Sequence, residues 1–550
     1  MTAKDAATIS GENTYARERM PARAPAENHY AQAMEGLMMD YPLLVRHIAE
    51  RAATVFGRRE VVSRGQETVE RTTYAQVVDR ARRLASALSE LGIRPGDRVA
   101  TFGWNSARHL ELYLAVPGMG AVLHTLNIRL HPDDLRYIAG HAEDRVVFLD
   151  ASLADVMPSL DGVEHEVLMP DGPGEREGAL DYEELVADGD PGFEFPDLDE
   201  DAAAAMCYTS GTTGRPKGVV YSHRSTLLHS LGVLSADGVG VRGCDSVMPV
   251  VPMFHANAWG LPYAAALAGA RQVFPGPRMS PAELAELIAA ERVTRTAGVP
   301  TIWQGMLQLE PPPDLSSLVE IKCGGSAVPE ALIRAFDERF GVPITQGWGM
   351  TETSPLAATS RLPGDVELSE DEAYELRACQ GRVLPLVDFR LDEDAGGELQ
   401  VRGPFIARAY YNDPEGADKF TPDGWLRTGD VAELRGDSYI RLVDRTKDLV
   451  KSGGEWISSV DLENAIMAHP DVLEAAVIAV PDERWSERPC ACVVRRDGAS
   501  LGPDELRAFL EAKVAKWWLP DRVEFIDEVP KTSVGKFDKK SLRSRFGAAA

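Results

Sequence analysis

Between Tyr74 and Gly92 apolar side chains recur at alternating four- and three-residue steps, Val77, Ala81, Leu84, Leu88 and Leu91, and a short β-rich run follows at 98–102. The spacing predicts one buried helical stripe closed by a glycine cap and then a strand. A second β-rich run at 146–149 follows another helical stretch, and the alternation continues past Gly325. Helices alternating with short strands cover both faces of a sheet, so the expected fold class is layered α/β with largely parallel sheets and ligand-binding loops at strand ends. At 550 residues the chain is too long for one ordinary domain.

A second unit is expected to begin near Asp444. Ser458 or Ser459 can cap a helix carrying Leu462, Ile466 and Met467 that stops before Pro470, followed by strands at 475–480 and 489–494, a helix over 503–516 and a strand at 523–526. That is a compact α/β domain of roughly 100 residues. Residues 1–30 lack apolar periodicity and read as a mobile polar tail.

The balance of 44% hydrophobic and 26% charged residues is that of a soluble globular protein, but the net charge is −27. Such a surface repels nucleic acid and anionic lipid, so any phosphate binding must rest on local basic clusters. Cys207, Cys244, Cys323, Cys379, Cys490 and Cys492 show no C-x-x-C spacing. Together with the lack of a signal sequence or an apolar run of membrane-spanning length, this predicts a cytoplasmic protein with structural thiols and no membrane span. The residues do not fix an oligomeric state, and a homodimer is compatible with them.

The most informative segment is 209–218: Thr209, Ser210, Gly211, Thr212, Thr213, Gly214, Arg215, Pro216, Lys217 and Gly218, directly after the apolar run 202–208. Glycines let backbone N–H groups approach a phosphate, hydroxyls add donors and Lys217 adds a positive charge. It is not the nucleoside-triphosphatase loop, in which the lysine follows the glycine directly and precedes Ser or Thr. A polar linker is the bland alternative, improbable for ten residues in this order.

This loop resembles the signature of the superfamily of acyl- and aryl-CoA synthetases, luciferases and nonribosomal-peptide adenylation domains, and further motifs of that superfamily follow in order along nearly the whole chain. Gly324, Gly325 and Ser326 resemble its adenine-binding loop. Gly347, Trp348, Gly349, Met350, Thr351 and Glu352 resemble the segment in which an aromatic flanks adenine, Thr351 touches the α-phosphate and Glu352 holds Mg²⁺. The resemblance implies that Asp430 binds the ribose hydroxyls, that Arg445 lies near the ribose, that Lys451 and Trp456 belong to the nucleotide-binding set, and that Lys447 is a hinge. It divides the chain into a large N-terminal domain, 31–444, and a small mobile C-terminal domain, 445–550, whose Lys536 bridges the substrate carboxylate and the nucleotide. The segments around His255, Ala256 and Trp259, and around Gly453, Gly454 and Glu455, resemble those of bacterial medium- and long-chain fatty acyl-CoA synthetases most closely; they imply an acyl pocket gated by Trp259 and a coenzyme A tunnel, respectively. The chain departs from that pattern in two places: the segment 391–399 is shorter than in many relatives, and Ala256 stands where valine is common.

The implied chemistry has two steps: a carboxylic acid, expected to be a medium- or long-chain fatty acid, attacks MgATP to give an acyl-adenylate and pyrophosphate, and the acyl group then passes to coenzyme A with release of AMP. Catalysis is expected from Lys536, Thr351, Glu352 and Lys217, with no protein nucleophile. Alternatives keep the adenylation and change the acceptor to a carrier protein, an amine, or an aryl amine meeting ATP-activated nitrite. A non-enzymatic acyl- or nucleotide-binding protein is the remaining class.

Overall fold

The computed structural model describes residues 36–209, 215–364, 366–436, 438–452, 455–482, 484–532 and 536–547; the tail expected over 1–30 lies outside them. Residues 36–41 carry no regular secondary structure, and the unit that holds the sheets begins at Pro42.

The predicted stripe lies on the helix Tyr74–Glu90, which follows a first helix Arg46–Val55 and buries Val77, Ala81, Leu84 and Leu88. Thr73 closes its start in a reciprocal box with Gln76, and Gly92 beyond its end has φ +90°. The strand after it, Arg98–Phe102, is the centre of a sheet of seven strands. Its neighbours are Val122–Thr125 and Asp144–Asp150, and all the pairings in this sheet are parallel except that of Ala203–Tyr208 with Gly218–Ser222. A second sheet, of nine strands, has a parallel centre running Ile344–Gly349, Glu320–Gly324, Arg295–Gly298, Ser246–Pro249, Arg271–Phe274 and Glu60–Arg64, with antiparallel strands at its edges. Helices pack on these sheets around continuous apolar cores.

The expectation of largely parallel sheets fails for the rest. Asp388–Asp392, Glu398–Arg402, Leu426–Arg435 and Tyr439–Arg445 form a wholly antiparallel sheet. For the two outer pairs the physical reason is the connections: the first pair is joined by the short turn Glu393–Ala395 and the last by 436–438, too short for a crossover helix, so the chain must reverse there.

The small C-terminal part is built on a five-stranded sheet with the long hairpin Val472–Asp482 and Ser486–Arg495 at its heart. Ser458 caps the helix Ser459–Met467 by accepting from Asp461 N at 3.0 Å. The helix expected over 503–516 ends at Leu510, beyond which the chain continues in turns, with Lys513 N taking the carbonyl three residues back, that of Leu510. Contacts to the large part are polar: Asp444 accepts from Ser459 N at 2.6 Å, Gln304 donates to Leu473 O at 2.8 Å, and Arg441 pairs with Asp461.

Candidate active site

A cavity of about 370 Å³ opens at the carboxyl ends of four parallel strands, Ser246–Pro249, Arg295–Gly298, Glu320–Gly324 and Ile344–Gly349, which contribute Val251, Val299, Gly325 and Gly347 to its wall. Such strand ends are where open α/β sheets bind ligands. Six cations line it, Arg215, Lys217, Lys419, Arg445, Lys447 and Lys536. In a chain of net charge −27 this is a sharply local positive field, suited to a polyanion.

The phosphate-gripping segment is the loop of a hairpin between Ala203–Tyr208 and Gly218–Ser222. Ser210, Gly211, Thr212, Thr213 and Gly214 lie outside the described residues. At the neck, Thr209 N donates to Lys217 O at 2.9 Å and Lys217 N to the Thr209 hydroxyl at 3.1 Å. Arg215 stacks its guanidinium 5.0 Å from the centre of the Tyr137 ring.

The strand Ile344–Gly349 delivers the next group. Trp348 is 7% exposed and its indole N–H donates to Asp430 Oδ2 at 3.0 Å. Asp430 faces Arg445 across the antiparallel pair of Leu426–Arg435 and Tyr439–Arg445, and their side chains meet at 3.3 Å. The register of the unforeseen sheet therefore fixes this ion pair. Thr351 is held through its carbonyl, which accepts from the Tyr221 hydroxyl at 2.7 Å, and Glu352 Oε1 accepts from the Tyr410 hydroxyl at 2.5 Å. Gly324 is required by close approach, since a Cβ there would lie 2.3 Å from Gly347 O and 3.2 Å from the Trp259 ring. Ser326 is exposed and, with Gly324, is not among the residues lining the cavity.

The other wall is apolar and strained. His255, Ala256 and Trp259 line the cavity, and the turn Ala256–Gly260 has φ values of +43°, +50°, +48°, +57° and +72° in succession. Left-handed backbone costs roughly 1–2 kcal/mol per non-glycine residue, so the turn persists only because its surroundings hold it. Cys207 Sγ lies 3.3 Å from Asn257 Oδ1 beneath it. Gly260 backs against His229, whose Nδ1 would be 2.6 Å from any added Cβ. Nothing in the sequence signalled this geometry. Burial, then the nearby charges of Lys536 and Arg129, lowers the pKa of His255 to about 3, so its imidazole is neutral.

From the small part, Lys536 reaches this cavity, and its Cε would lie 3.9 Å from a Cβ placed on Gly325. Burial, then the like charge of Arg445, lowers its pKa to about 8, while Asp430 and Glu352 act in the opposite sense. Lys447, also at the cavity, has its pKa lowered by burial and by Arg445. The structure does not bring Lys451 or Trp456 there: both are exposed, stacked on each other at 5.4 Å. Gly453 and Gly454 lie outside the described residues, and Glu455 starts the strand Glu455–Ile457 beside them.

Among the described residues no cluster of three or more His, Cys, Asp and Glu could hold a metal alone, and Glu352 is the one carboxylate lining the cavity. That donor set fits Mg²⁺, which is commonly held by one or two carboxylates together with substrate phosphates.

Comparison with known proteins agrees with this geometry. Residues 49–411 match the family "AMP-binding enzyme" and 461–536 match "AMP-binding enzyme C-terminal domain". A long-chain-fatty-acid–CoA ligase of Thermus thermophilus is 49% identical over 94% of this chain and 98% of its own length. A medium-chain-fatty-acid–CoA ligase of Ectopseudomonas oleovorans is 43% identical over 94% and 98%. Among solved structures, the anthranilate CoA ligase AuaEII in complex with anthranoyl-AMP superposes with a TM-score of 0.83 at 27% identity, covering 92% of this chain and 98% of that one. The chain belongs to the AMP-binding enzyme family, and its place there is among the ATP-dependent, AMP-forming acid–thiol ligases.

Proposed function

We propose that the protein is a fatty acid–CoA ligase acting on medium- or long-chain acids. The observation that carries this reading is the meeting of Lys536, Thr351 and Glu352 in a cation-lined cavity whose opposite wall is the apolar turn bearing His255, Ala256 and Trp259.

ATP occupies the cation-rich side. Trp348 flanks the adenine, Asp430 accepts from the ribose hydroxyls with Arg445 beside it, and the 209–217 loop with Lys217 holds the β- and γ-phosphates. Glu352, fixed by Tyr410, would hold Mg²⁺, which when bound neutralises charge on the phosphates. The acid lies with its tail along His255, Ala256 and Trp259 and its carboxylate towards Lys536. Neutral His255 adds no charge to compete for the carboxylate. As a carboxylate oxygen forms its bond to the α-phosphorus, the bond to the pyrophosphate oxygen breaks. Protonated Lys536 offsets negative charge at both the carboxylate and the phosphate, where it crowds in the transition state. Thr351 orients the α-phosphate.

The arrangement with Lys536 in the cavity is read as the adenylating one. The small domain, 445–550, then turns about Lys447, withdraws Lys536 and brings Gly453, Gly454 and Glu455, with Lys451 and Trp456, to the adenylate, where the coenzyme A thiol attacks the acyl carbonyl and AMP leaves. No protein nucleophile is needed, and burial raises the Cys207 thiol to about 11. ATP and coenzyme A as substrates, and six cysteines that are all free, support a cytoplasmic setting.

The test is acid-dependent ATP–pyrophosphate exchange and acyl-CoA formation over short, medium and long fatty acids. Exchange without acyl-CoA would reassign the acceptor; no exchange with any acid would remove the adenylating function.

A further inference from the structure

Lys217 is not a free surface lysine. Its ammonium lies 3.0 Å from Asp413 Oδ2 and 4.9 Å from the centre of the Tyr410 ring. The turn Pro414–Lys419 passes so close beneath that a Cβ on Gly416 would stand 2.9 Å from Nζ. Asp413 divides its two oxygens. Oδ1 accepts from Gly416 N at 3.1 Å and caps the turn, whereas Oδ2 is screened from solvent and has no aligned hydrogen-bond donor. Charge therefore holds Oδ2 to the lysine, without the directional bond that would fix the pair.

We propose that Asp413 is an internal counter-anion for Lys217: it holds the ammonium between turnovers, yields it to the phosphates of ATP, and takes it back as pyrophosphate leaves. The inference rests on the assignment of Lys217 to the phosphates. A carboxylate and a bound pyrophosphate compete for one ammonium, and while pyrophosphate is bound the displaced carboxylate repels it. Asp413 thus weakens pyrophosphate binding and favours its release, acting through Lys217 as a positioning residue.

Asp413→Asn isolates the charge, because the amide oxygen still accepts from Gly416 N and the cap survives. Calorimetric titration of the full-length enzyme with inorganic pyrophosphate at fixed magnesium should show binding tightened about three- to fivefold, as expected of a partly exposed ion pair. Pyrophosphate should inhibit acyl-CoA formation at correspondingly lower concentration, and Asp413→Glu should restore weaker binding. In a Lys217→Ala background, where only the direct repulsion remains, Asp413→Asn should tighten binding by less than it does in the wild-type background, and an undiminished gain would overturn the competition for the ammonium. If Asp413 only caps the turn, Asp413→Asn leaves pyrophosphate affinity unchanged; if it anchors Lys217 in its phosphate-binding pose, affinity falls. Either result overturns the proposal. Lys217→Ala with unaltered pyrophosphate affinity would overturn the phosphate assignment itself, an outcome distinct from both.

Discussion

Two lysine loops in this chain share a neck and differ in what surrounds the lysine. In the 209–217 loop Thr209 N donates to Lys217 O at 2.9 Å and Lys217 N to the Thr209 hydroxyl at 3.1 Å. In the 532–536 loop Thr532 N donates to Lys536 O at 2.7 Å and Lys536 N to the Thr532 hydroxyl at 3.2 Å. The same reciprocal clasp pinches both, yet Lys217 carries a counter-ion at 3.0 Å, whereas Lys536 is buried beside Arg445 and loses affinity for its proton, burial being the larger cause. The difference follows from where each loop is mounted. The first joins two strands of the large part and can keep a fixed carboxylate. The second must leave and return on the proposed mechanism, so its attraction to the site is best supplied by the substrates' own anions, which are present when adenylation needs it.

The largest expected effect tests this division directly. Lys536→Ala should lower adenylation about a hundredfold to a thousandfold while leaving conversion of supplied acyl-adenylate to acyl-CoA nearly intact, with each half-reaction measured separately. Equal loss in both would remove the mobile role and put Lys536 on a par with Lys217.

Acidity provides a second contrast. Lys536 works protonated, and in the free enzyme its pKa is lowered to about 8. The kcat/KM of adenylation should therefore be flat below about pH 8 and fall about tenfold per unit above it. Lys536→Arg, which keeps its charge, should remove that limb even if its rate is lower. A limb that stays near pH 8 in the arginine variant belongs to another group.

How much of this was legible in the sequence depends on whether a feature is local. The helix ending before Gly92 and the strand at 98–102 follow from periodicity, and Trp348, Thr351, Glu352, Lys217 and Lys536 stand in motifs that the fold gathers at one cavity. What the sequence hid is tertiary. The strands of the antiparallel sheet carry a local signal, since Asp388–Asp392 and Glu398–Arg402 alternate polar and apolar residues, but the register that sets Asp430 against Arg445 does not. The left-handed turn Ala256–Gly260 contains a single glycine and exists through Cys207 and His229, distant in the chain. Tyr410 and Asp413 reach Glu352 and Lys217 only through folding, and an aromatic pair followed by Asn-Asp reads as an ordinary turn.

The smallest expected effect bears on the shared clasp. Thr209→Val and Thr532→Val each remove one hydroxyl acceptor and keep side-chain volume, so each leaves one N–H less well satisfied, a change of about 1 kcal/mol. The neck of the first loop is also set by the antiparallel strands Ala203–Tyr208 and Gly218–Ser222, paired over five registers from Ala203–Ser222 to Tyr208–Gly218. Beyond the neck of the second, the pairing among the described residues is the isolated bridge between Lys531 and Phe537. Adenylation should accordingly fall about fivefold for Thr532→Val and less for Thr209→Val, with the thiolation half-reaction unaffected by Thr532→Val because Lys536 is then withdrawn. A larger loss for Thr209→Val would mean that its hydroxyl does more than close the loop, and the natural candidate is a direct contact with phosphate, separable by a raised KM for ATP at unchanged thermal stability.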